Sequence, residues 1–354
     1  MSDNVVPVVL ERADSLEAVR ADWARLAERS ENVFATWEWA TAWWRHLRPR
    51  GALLVTTCRR GDEPPFGVLP LYVSATAGLR VVRLVGHGPA DELGPVCAPE
   101  DRPAAIAALA RVLDDVGADV FVGDELRTHR GWSTALGVGL RVRSTIPSPV
   151  IRLGWATWDE FLASRSRGFR QQVRRRERAL IAHGLRYRLC DEQDRLESDL
   201  DLLFALHRRQ WRGGSNFDRI ESFHRHFAAA AFARGWLRLW FLEADGRAVA
   251  ASYALRFAGN EWGYQSGRDP AWDRFGVGTI IRAHCIRNAI ASGIRDYHLG
   301  RGGEPYKRHF TDDESMLETI VLALGNRGRL ALSVSELARR ARQAVRGVRT
   351  RATT

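Results

Sequence analysis

Residues 237–299 contain the most restrictive feature of this sequence, a fixed succession of short β-rich runs, one glycine-bearing loop and one long helix. An Asp245-Gly246 pair separates the first two runs, which is typical of a tight hairpin turn. The expected elements are strands Leu237–Glu243, Ala248–Phe257, Asn260–Ser266 and Asp296–Leu299, with a helix Gly276–Ser292 before the last strand. A fold that accepts this order needs an antiparallel sheet and one crossover helix packed against it.

The first half of the chain alternates between predicted strands and helices. The strands are expected at Val5–Leu10, Ala52–Thr57, Gly67–Tyr72, Leu79–Leu84 and Asp119–Val122, and the helices at Leu16–Ala27, Trp37–Trp44 and Pro103–Val116. Thr36 is expected to cap the second of these helices. At 354 residues the chain is long enough for two cores, and Pro147-Ser148-Pro149 gives the expected boundary between them. The sequence therefore predicts an α/β (α+β) protein with domains at 1–148 and 149–325 and a basic tail at 326–354.

The net charge of +11 is concentrated in two segments. Residues 165–178 hold seven Arg and one Glu, and residues 326–354 hold eight Arg and one Glu. These segments together carry more positive charge than the whole chain, so the remaining residues are close to neutral. This distribution is unlike a uniformly basic nucleic-acid coat, and it indicates an enzyme-like body with two basic patches.

The sequence shows no secretory signal pattern and no apolar run long enough to span a bilayer. The four cysteines lie far apart without a CxxC spacing, at Cys58, Cys97, Cys190 and Cys285. We therefore expect a cytoplasmic protein with unpaired, mostly buried thiols.

Lys307 is the only lysine in a chain with 53 Lys and Arg residues. Arg is the default cation here, so the exception suggests a site that needs a compact ammonium whose pKa can be tuned by burial. Chance placement of one lysine is the alternative. Lys307 lies in the run Arg301-Gly-Gly-Glu-Pro-Tyr-Lys-Arg308, beside Glu304 and Tyr306, and this position is better evidence for a function than rarity.

The loop Asp273-Arg-Phe-Gly-Val-Gly-Thr279 precedes the predicted crossover helix and has the features of an anion site. Its glycines allow the backbone to approach an anion, and the N–H groups of the first helical turn point towards it. Asp273 would repel a phosphate unless it turns away or Arg274 compensates. An ordinary strand-to-helix turn is the alternative, since two glycines alone are weak evidence. The residues expected to bind a phosphate-bearing cofactor are Arg274, Gly276, Val277, Gly278 and Thr279.

The order of elements resembles the GNAT superfamily of N-acetyltransferases, whose pyrophosphate loop follows the pattern Q/R-x-x-G-x-G/A. Three segments resemble the CelD/BioF2-like acetyltransferase family more specifically: "FATWEWATAWWRHL", "RGFRQQVRRRERAL" and "GVGTIIRAHCIRNAIASGIRDYHLGRGGEPYKRHFT". That family is similar to the Fem peptidoglycan aminoacyltransferases in carrying two GNAT-like domains in tandem, which implies two mixed, mainly antiparallel sheets flanked by helices. Asp273 departs from the loop pattern, where Gln or Arg is usual.

The resemblance implies transfer of an acyl group, most simply acetyl, from acyl-CoA to an amine or hydroxyl of a small-molecule, saccharide or cell-envelope-related acceptor, without a metal. In this chemistry the acceptor loses a proton, the oxyanion needs donors, and the departing thiolate takes up a proton. Glu304 is the candidate base, Tyr306 is the candidate acid, and Lys307 or Arg301 would hold a phosphate or an oxyanion. The structural alternative is an ion pair of Glu304 with Arg301 or Arg308, and a Tyr306 ring packed in the core.

Two further residues are candidates for binding the substrate. Arg170, with Arg174 one turn later, gives a basic helix face that would meet an acidic acceptor, a CoA phosphate or RNA, although a solvated face is an equal alternative. Asp91 lies in a Gly/Pro loop of the first domain, where a carboxylate would bind an acceptor amine. His224-x-His226 does not indicate a metal, because on a helix these side chains point to different sides.

The tail spaces its apolar residues by threes and fours, with arginines between them: Leu330, Val334, Leu337, Ala341, Val345 and Val348. This amphipathic pattern suits either docking on the body or peripheral contact with an anionic membrane.

Two other functions compete with acyl-CoA-dependent transfer. One is Fem-like aminoacyl transfer from aminoacyl-tRNA, with RNA on the arginine-rich helix. The other is a catalytically silent basic scaffold that binds nucleic acid or an anionic polymer. Asp273 favours the scaffold modestly, whereas the near-neutral body with one concentrated polar cluster argues against it.

Overall fold

Two β-sheets organise the chain, and the computed structural model describes residues 7–128, 131–137, 139–334 and 336. The strands are β1 (Val8–Arg12), β2 (Gly51–Arg60), β3 (Gly67–Thr76), β4 (Leu79–Leu84), β5 (Val96–Cys97), β6 (Val120–Arg127), β7 (Leu140–Pro147), β8 (Val150–Arg152), β9 (Arg186–Leu189), β10 (Leu237–Ala244), β11 (Arg247–Phe257), β12 (Asn260–Arg268), β13 (Asp296–His298) and β14 (Met316–Ala323). The α-helices are α1 (Arg20–Ser30), α2 (Trp37–His46), α3 (Arg102–Asp115), α4 (Trp132–Leu136), α5 (Trp158–Ala163), α6 (Arg167–Ile181), α7 (Leu196–Gln210), α8 (Asn216–Arg219), α9 (Glu221–Ala233) and α10 (Val277–Ala291).

The first sheet has the order β1-β2-β3-β4-β6-β14-β7, and β5 pairs with β3. β14 runs antiparallel to both of its neighbours, with Val321 opposite Val122 and Ile320 opposite Val142. Residues 316–323, which the sequence groups with the C-terminal domain, thus complete the sheet of the N-terminal half. The sequence analysis assigned neither β7 nor β14, because cross-strand partners rather than local turn signals specify such strands.

The second sheet has the order β8-β13-β12-β11-β10-β9. Asp245 and Gly246 form the predicted hairpin turn between β10 and β11, with φ values of 48° and 72°. α10 crosses from β12 to β13, and these two strands pair in parallel only over residues 260–262. β12 continues to Arg268, so the two strands separate beyond that point. Two mixed, mainly antiparallel sheets with helices against them confirm the predicted fold class.

The tryptophan-rich helix α2 joins the two halves. Thr36 caps it as predicted, its hydroxyl accepting a hydrogen bond from the Trp39 N–H. The buried Trp39 ring lies edge-on to Phe223 and Phe227 of α9, with centroid distances of 4.9 and 4.7 Å. Residues of both halves therefore share one hydrophobic core, and this fixes the walls of any cleft between them.

The predicted tail is described only in part. Residues 326–334 are helical, and residues 337–354 lie outside the described residues. Among the described helices, none combines the length and the apolar character needed to cross a membrane.

Candidate active site

A cleft of about 780 Å³ opens where β12 and β13 separate. Its walls are the end of β12, the start of α10, the loop that follows β13, and the first-half loop that carries Asp91. Arg176 of α6, with Gln210 and Trp211 at the end of α7, completes the lining. Eight of the eleven predicted site residues line this cleft, and the three that do not are Arg274, Val277 and Arg170.

The start of α10 forms one end of the cleft. Gly276 caps the helix with φ 65°, and a Cβ at this position would lie 2.5 Å from the guanidinium of Arg176. Gly278 has more room, since an added Cβ would meet only the Arg268 side chain at 3.5 Å. The first N–H groups of a helix have no carbonyl partner within the helix. In α10 the N–H groups of Thr279 and Ile280 donate to the Gly276 carbonyl. The backbone donors left at this end of the cleft, where the sequence predicts an anion site, are therefore those of Val277 and Gly278.

The carboxylate of Asp273 is already bound. Arg268 donates to it through Nε at 2.6 Å, so its charge is offset by a neighbour other than the predicted Arg274. Arg274 instead stacks on Phe275, with its guanidinium carbon 4.7 Å from the ring centroid. Val277 is buried in the core, which limits its contribution at the cleft to the backbone.

Arg176 is a site residue that the sequence analysis missed. Its guanidinium donates to the Thr279 hydroxyl at 3.3 Å, and among the described residues no carboxylate lies within ion-pair distance of it. Burial and the adjacent Arg175 lower the pKa of Arg176. An incompletely neutralised guanidinium at a helix N-terminus is suited to an anion.

A sequence signal for Arg176 existed. The buried residues of α6 are Phe169, Val173 and Leu180, and position 176 falls on the same stripe at helical spacing. An arginine on the apolar stripe must be directed into the body. Arg170, the residue predicted instead, donates to the carbonyls of Ala163 and Arg165 at 2.7 and 2.8 Å, and so joins the ends of α5 and α6.

Lys307 is buried, and its ammonium is fully engaged. Nζ donates to the carbonyls of Gly300, Arg301 and Gly302 at 2.9, 2.7 and 3.0 Å, and Glu304 lies 2.9 Å away. Burial lowers the pKa of Lys307, against the opposing effect of Glu304. Because three carbonyls and the Glu304 carboxylate share its three N–H groups, Lys307 has the geometry of a positioning residue, and this does not support the predicted phosphate or oxyanion contact.

Arg301 links the loop after β13 to the first half. It donates to Asp91 Oδ1 at 2.9 Å, to Glu125 Oε1 at 2.7 Å and to the Gly88 carbonyl at 2.9 Å. Glu125 has φ 56°, a left-handed conformation that costs energy in a residue other than glycine. Asp91 and Arg301, two of the three residues predicted to bind substrate, therefore bind each other, and the third is Arg170.

The second carboxylate oxygen of Asp91 is different. Oδ2 is buried and has no hydrogen-bond partner among the described residues. Burial raises the pKa of Asp91, although Arg301 acts in the opposite direction. An unpartnered, desolvated carboxylate oxygen in the wall of a cleft is suited to accept a proton or a cationic group.

Glu304 and Tyr306 belong to the loop after β13, whereas Asp91 belongs to the first half of the chain, and all three line the cleft. The Glu304 side chain is 54% exposed. Partial burial acts to raise the pKa of Glu304, but the hydrogen bond from Lys307 outweighs it and the pKa is lowered. The Tyr306 ring lies 5.2 Å from the guanidinium carbon of Arg282. One guanidinium nitrogen of Arg282, Nη1, is buried without a hydrogen-bond partner among the described residues. Tyr306 thus has a cation beside it.

Residues 167–308 match the acetyltransferase (GNAT) domain family. None of the curated proteins compared matches the chain. The crystal structure of FemX is similar to 89% of this chain and 97% of its own, with a TM-score of 0.63 at 12% identity. The C-terminal domain of a putative lysylphosphatidylglycerol synthetase from Agrobacterium fabrum is similar over 92% and 96%, with a TM-score of 0.59 at 11% identity. A tandem GNAT protein from the clavulanic acid biosynthesis pathway is similar over 90% and 99%, with a TM-score of 0.50 at 11% identity.

The solved structures show that this chain shares their fold of two halves, and the match to the acetyltransferase (GNAT) domain family covers residues 167–308. The cleft described above is lined mainly by residues of that matched segment. The predicted superfamily is confirmed, and the narrower CelD/BioF2-like assignment stays a prediction.

Proposed function

We propose that this protein is a cytoplasmic acyltransferase that moves an acyl group, most simply acetyl, from acyl-CoA to an amine or hydroxyl acceptor. The observation that carries this proposal is the α10 end of the cleft. There, backbone donors and the space beside Gly278 converge with the Arg176 guanidinium, which has no carboxylate within ion-pair distance among the described residues, while the Asp273 carboxylate at the same end is bound by Arg268. A phosphate-bearing donor supplies the missing negative charge.

The remaining residues fit the transfer step. The acceptor nitrogen or oxygen attacks the thioester carbonyl carbon, the carbon–sulfur bond breaks, and the thiolate departs. Asp91 Oδ2 is better poised than Glu304 to receive the acceptor proton, since burial raises the pKa of Asp91 while Lys307 lowers that of Glu304. Tyr306 gives its proton to the departing sulfur, and the Arg282 guanidinium lies over its ring.

The test is calorimetric titration of the protein with acetyl-CoA, in wild type and in Gly278→Glu. An added Cβ at this position meets no backbone atom within 3.5 Å, so the variant is expected to fold while its carboxylate enters the phosphate space. We expect heat of binding in the wild type and none in the variant. Absence of binding in the wild type would reject acyl-CoA as the donor.

Aminoacyl transfer from aminoacyl-tRNA is the second candidate. It is supported by the similarity to FemX and by the exposed arginines of α6, which are Arg167, Arg174, Arg175 and Arg178. Titration with charged tRNA separates the two candidates. Binding that weakens steeply with salt, together with transfer of the aminoacyl group, would favour tRNA, while RNA binding without any transfer would favour the silent scaffold.

A further inference from the structure

The cleft contains a second guanidinium without a carboxylate, that of Arg282 in α10. Its Nη1 nitrogen is buried without a hydrogen-bond partner, and among the described residues no carboxylate lies within ion-pair distance of the side chain. Glu304, in the same cleft, is paired with Lys307 at 2.9 Å instead. The Tyr306 ring, 5.2 Å from the guanidinium carbon, supplies the weaker attraction of an aromatic face. A partly desolvated cation with so little compensation is costly unless a ligand provides the missing charge.

Gly263 makes room for Arg282 at the point where β12 and β13 separate. The two strands pair over residues 260–262 of β12, so Gly263 is the first residue beyond the paired segment. A Cβ at this position would lie 3.0 Å from Arg282 Nη1 and 2.8 Å from the hydroxyl oxygen of Tyr297. That hydroxyl is also buried without a partner among the described residues. Two polar groups without partners therefore lie against the backbone where the strands part.

Arg282 and Asp91 approach this point from different sides of the second sheet. The Tyr264 hydroxyl donates to a carbonyl of the first half at 2.8 Å, so its side chain is directed towards that half. Gly263, the preceding residue, has its open side towards α10, since a Cβ there would approach Arg282. The unpartnered oxygen of Asp91 belongs to the first half. The uncompensated cation and the uncompensated carboxylate thus lie on either side of the gap between the strands.

The position of Arg282 along α10 indicates which substrate it faces. Arg282 follows Thr279 by three residues, which places both on one side of the helix. Thr279 is the residue that Arg176 contacts at the proposed phosphate end. Arg282 therefore belongs to the side of the cleft that would hold the donor, while Asp91 belongs to the side of the acceptor.

We propose that the acyl group of the donor carries a terminal carboxylate, as malonyl and succinyl groups do, and that Arg282 binds it. This inference rests on the proposed function, because it specifies the donor of the same site. A carboxylate matches a guanidinium in charge and in planar geometry, and the pair can form two parallel hydrogen bonds. In the transfer, the acceptor atom bonds to the thioester carbonyl carbon, the carbon–sulfur bond breaks, the sulfur takes up a proton, and the terminal carboxylate is unchanged.

The experiment is calorimetric titration of the full chain with two matched pairs of CoA thioesters. The pairs are succinyl-CoA with butyryl-CoA and malonyl-CoA with propionyl-CoA, whose members have equal numbers of acyl carbons and differ in the carboxylate. In the wild type we expect the carboxylate-bearing member of at least one pair to bind about tenfold or more tightly. In Arg282→Gln the two members should bind within about twofold of each other.

Arg287→Gln is the matched control, because Arg287 lies on the same helix but pairs with Glu177 outside the cleft. This variant should keep the wild-type preference. Denaturant titration adds a readout that separates ligand binding from a structural role. Arg282→Gln removes a cation without breaking an ion pair, so we expect it to be at least as stable as the wild type.

The outcomes separate this inference from the proposed function. If the wild type binds both members of each pair equally, acyl-CoA remains the donor and the carboxylate is rejected. If a preference for the carboxylate persists in Arg282→Gln, another cation binds it and the role of Arg282 is rejected. If Arg282→Gln is less stable and the wild type has no preference, the guanidinium is structural. If the wild type binds none of the four thioesters, the proposed function fails and the inference fails with it.

Discussion

Two cations that line the same cleft are compensated to different degrees. Lys307, in the loop after β13, directs its ammonium at three carbonyls and lies beside Glu304. Arg176 of α6, which contacts Thr279 at the start of α10, is partly desolvated, and among the described residues it has one hydroxyl partner and no carboxylate within ion-pair distance. Buried charges are costly unless they are compensated. The Lys307 loop is therefore compensated within the chain, while the α10 end of the cleft is where we propose that a ligand supplies the compensating charge.

The largest expected effect is the loss of stability on substitution of Lys307. Lys307→Met leaves three carbonyls and Glu304 without their donor, so we expect the free energy of unfolding to fall by about 3–5 kcal/mol. Lys307→Arg keeps the charge, but a planar guanidinium cannot direct its donors at all three carbonyls, so this variant should fold and lose most activity.

Denaturant titration measures both variants, with Arg308→Met as the control because that neighbour is exposed. An exposed substitution is expected to change stability by less than about 0.5 kcal/mol. If Lys307→Met keeps the wild-type free energy of unfolding, the loop after β13 does not depend on the Lys307 ammonium. The contrast drawn above between Lys307 and Arg176 would then be wrong.

Asp91 combines both situations in one carboxylate, since Oδ1 is bound by Arg301 while Oδ2 is unpartnered. If Oδ2 accepts the acceptor proton, the ionised form is the active one and the rate falls as pH falls through its pKa. Because burial raises this pKa, the acid limb of the kcat/KM profile is expected above the ordinary Asp value of about 3.9. Asp91→Asn should remove the limb together with most of the rate.

Asp124→Asn is the matched control for this prediction. Burial also raises the pKa of Asp124, but its side chain pairs with Arg83 outside the cleft. The control is therefore expected to retain the acid limb. If the acid limb persists in Asp91→Asn and vanishes in Asp124→Asn, the limb reports Asp124, and our assignment of it to Asp91 is wrong.

Local signals explain which parts of the fold could be predicted. The hairpin turn at Asp245-Gly246 and the helix cap at Thr36 each depend on residues that are adjacent in sequence, and the structure confirms both predictions. β14 could not be found in this way, since its place depends on pairing with β6, almost two hundred residues earlier. Such a strand has no turn next to its partner to reveal it.

The site residues also differ in whether local sequence signals could predict their positions. Gly276 and Gly278 could be placed at a helix start from sequence alone. Arg176 could also have been found, because it interrupts the apolar stripe of α6. The role of Lys307 could not, since its acceptors converge only when Gly300 and Gly302 adopt positive φ values of 74° and 102°. Rarity drew attention to Lys307, but the conformation of the loop decides what it does.

The central claim, that the α10 end of the cleft awaits an anionic donor, is tested most directly by a pair of neighbouring arginines. Calorimetric titration with acetyl-CoA compares wild type, Arg176→Gln and Arg175→Gln, where Arg175 is exposed and lines no part of the cleft. Loss of one charge-assisted contact should raise the Kd about tenfold in Arg176→Gln, and Arg175→Gln should leave it within about twofold. Equal Kd values in the two variants would contradict the account.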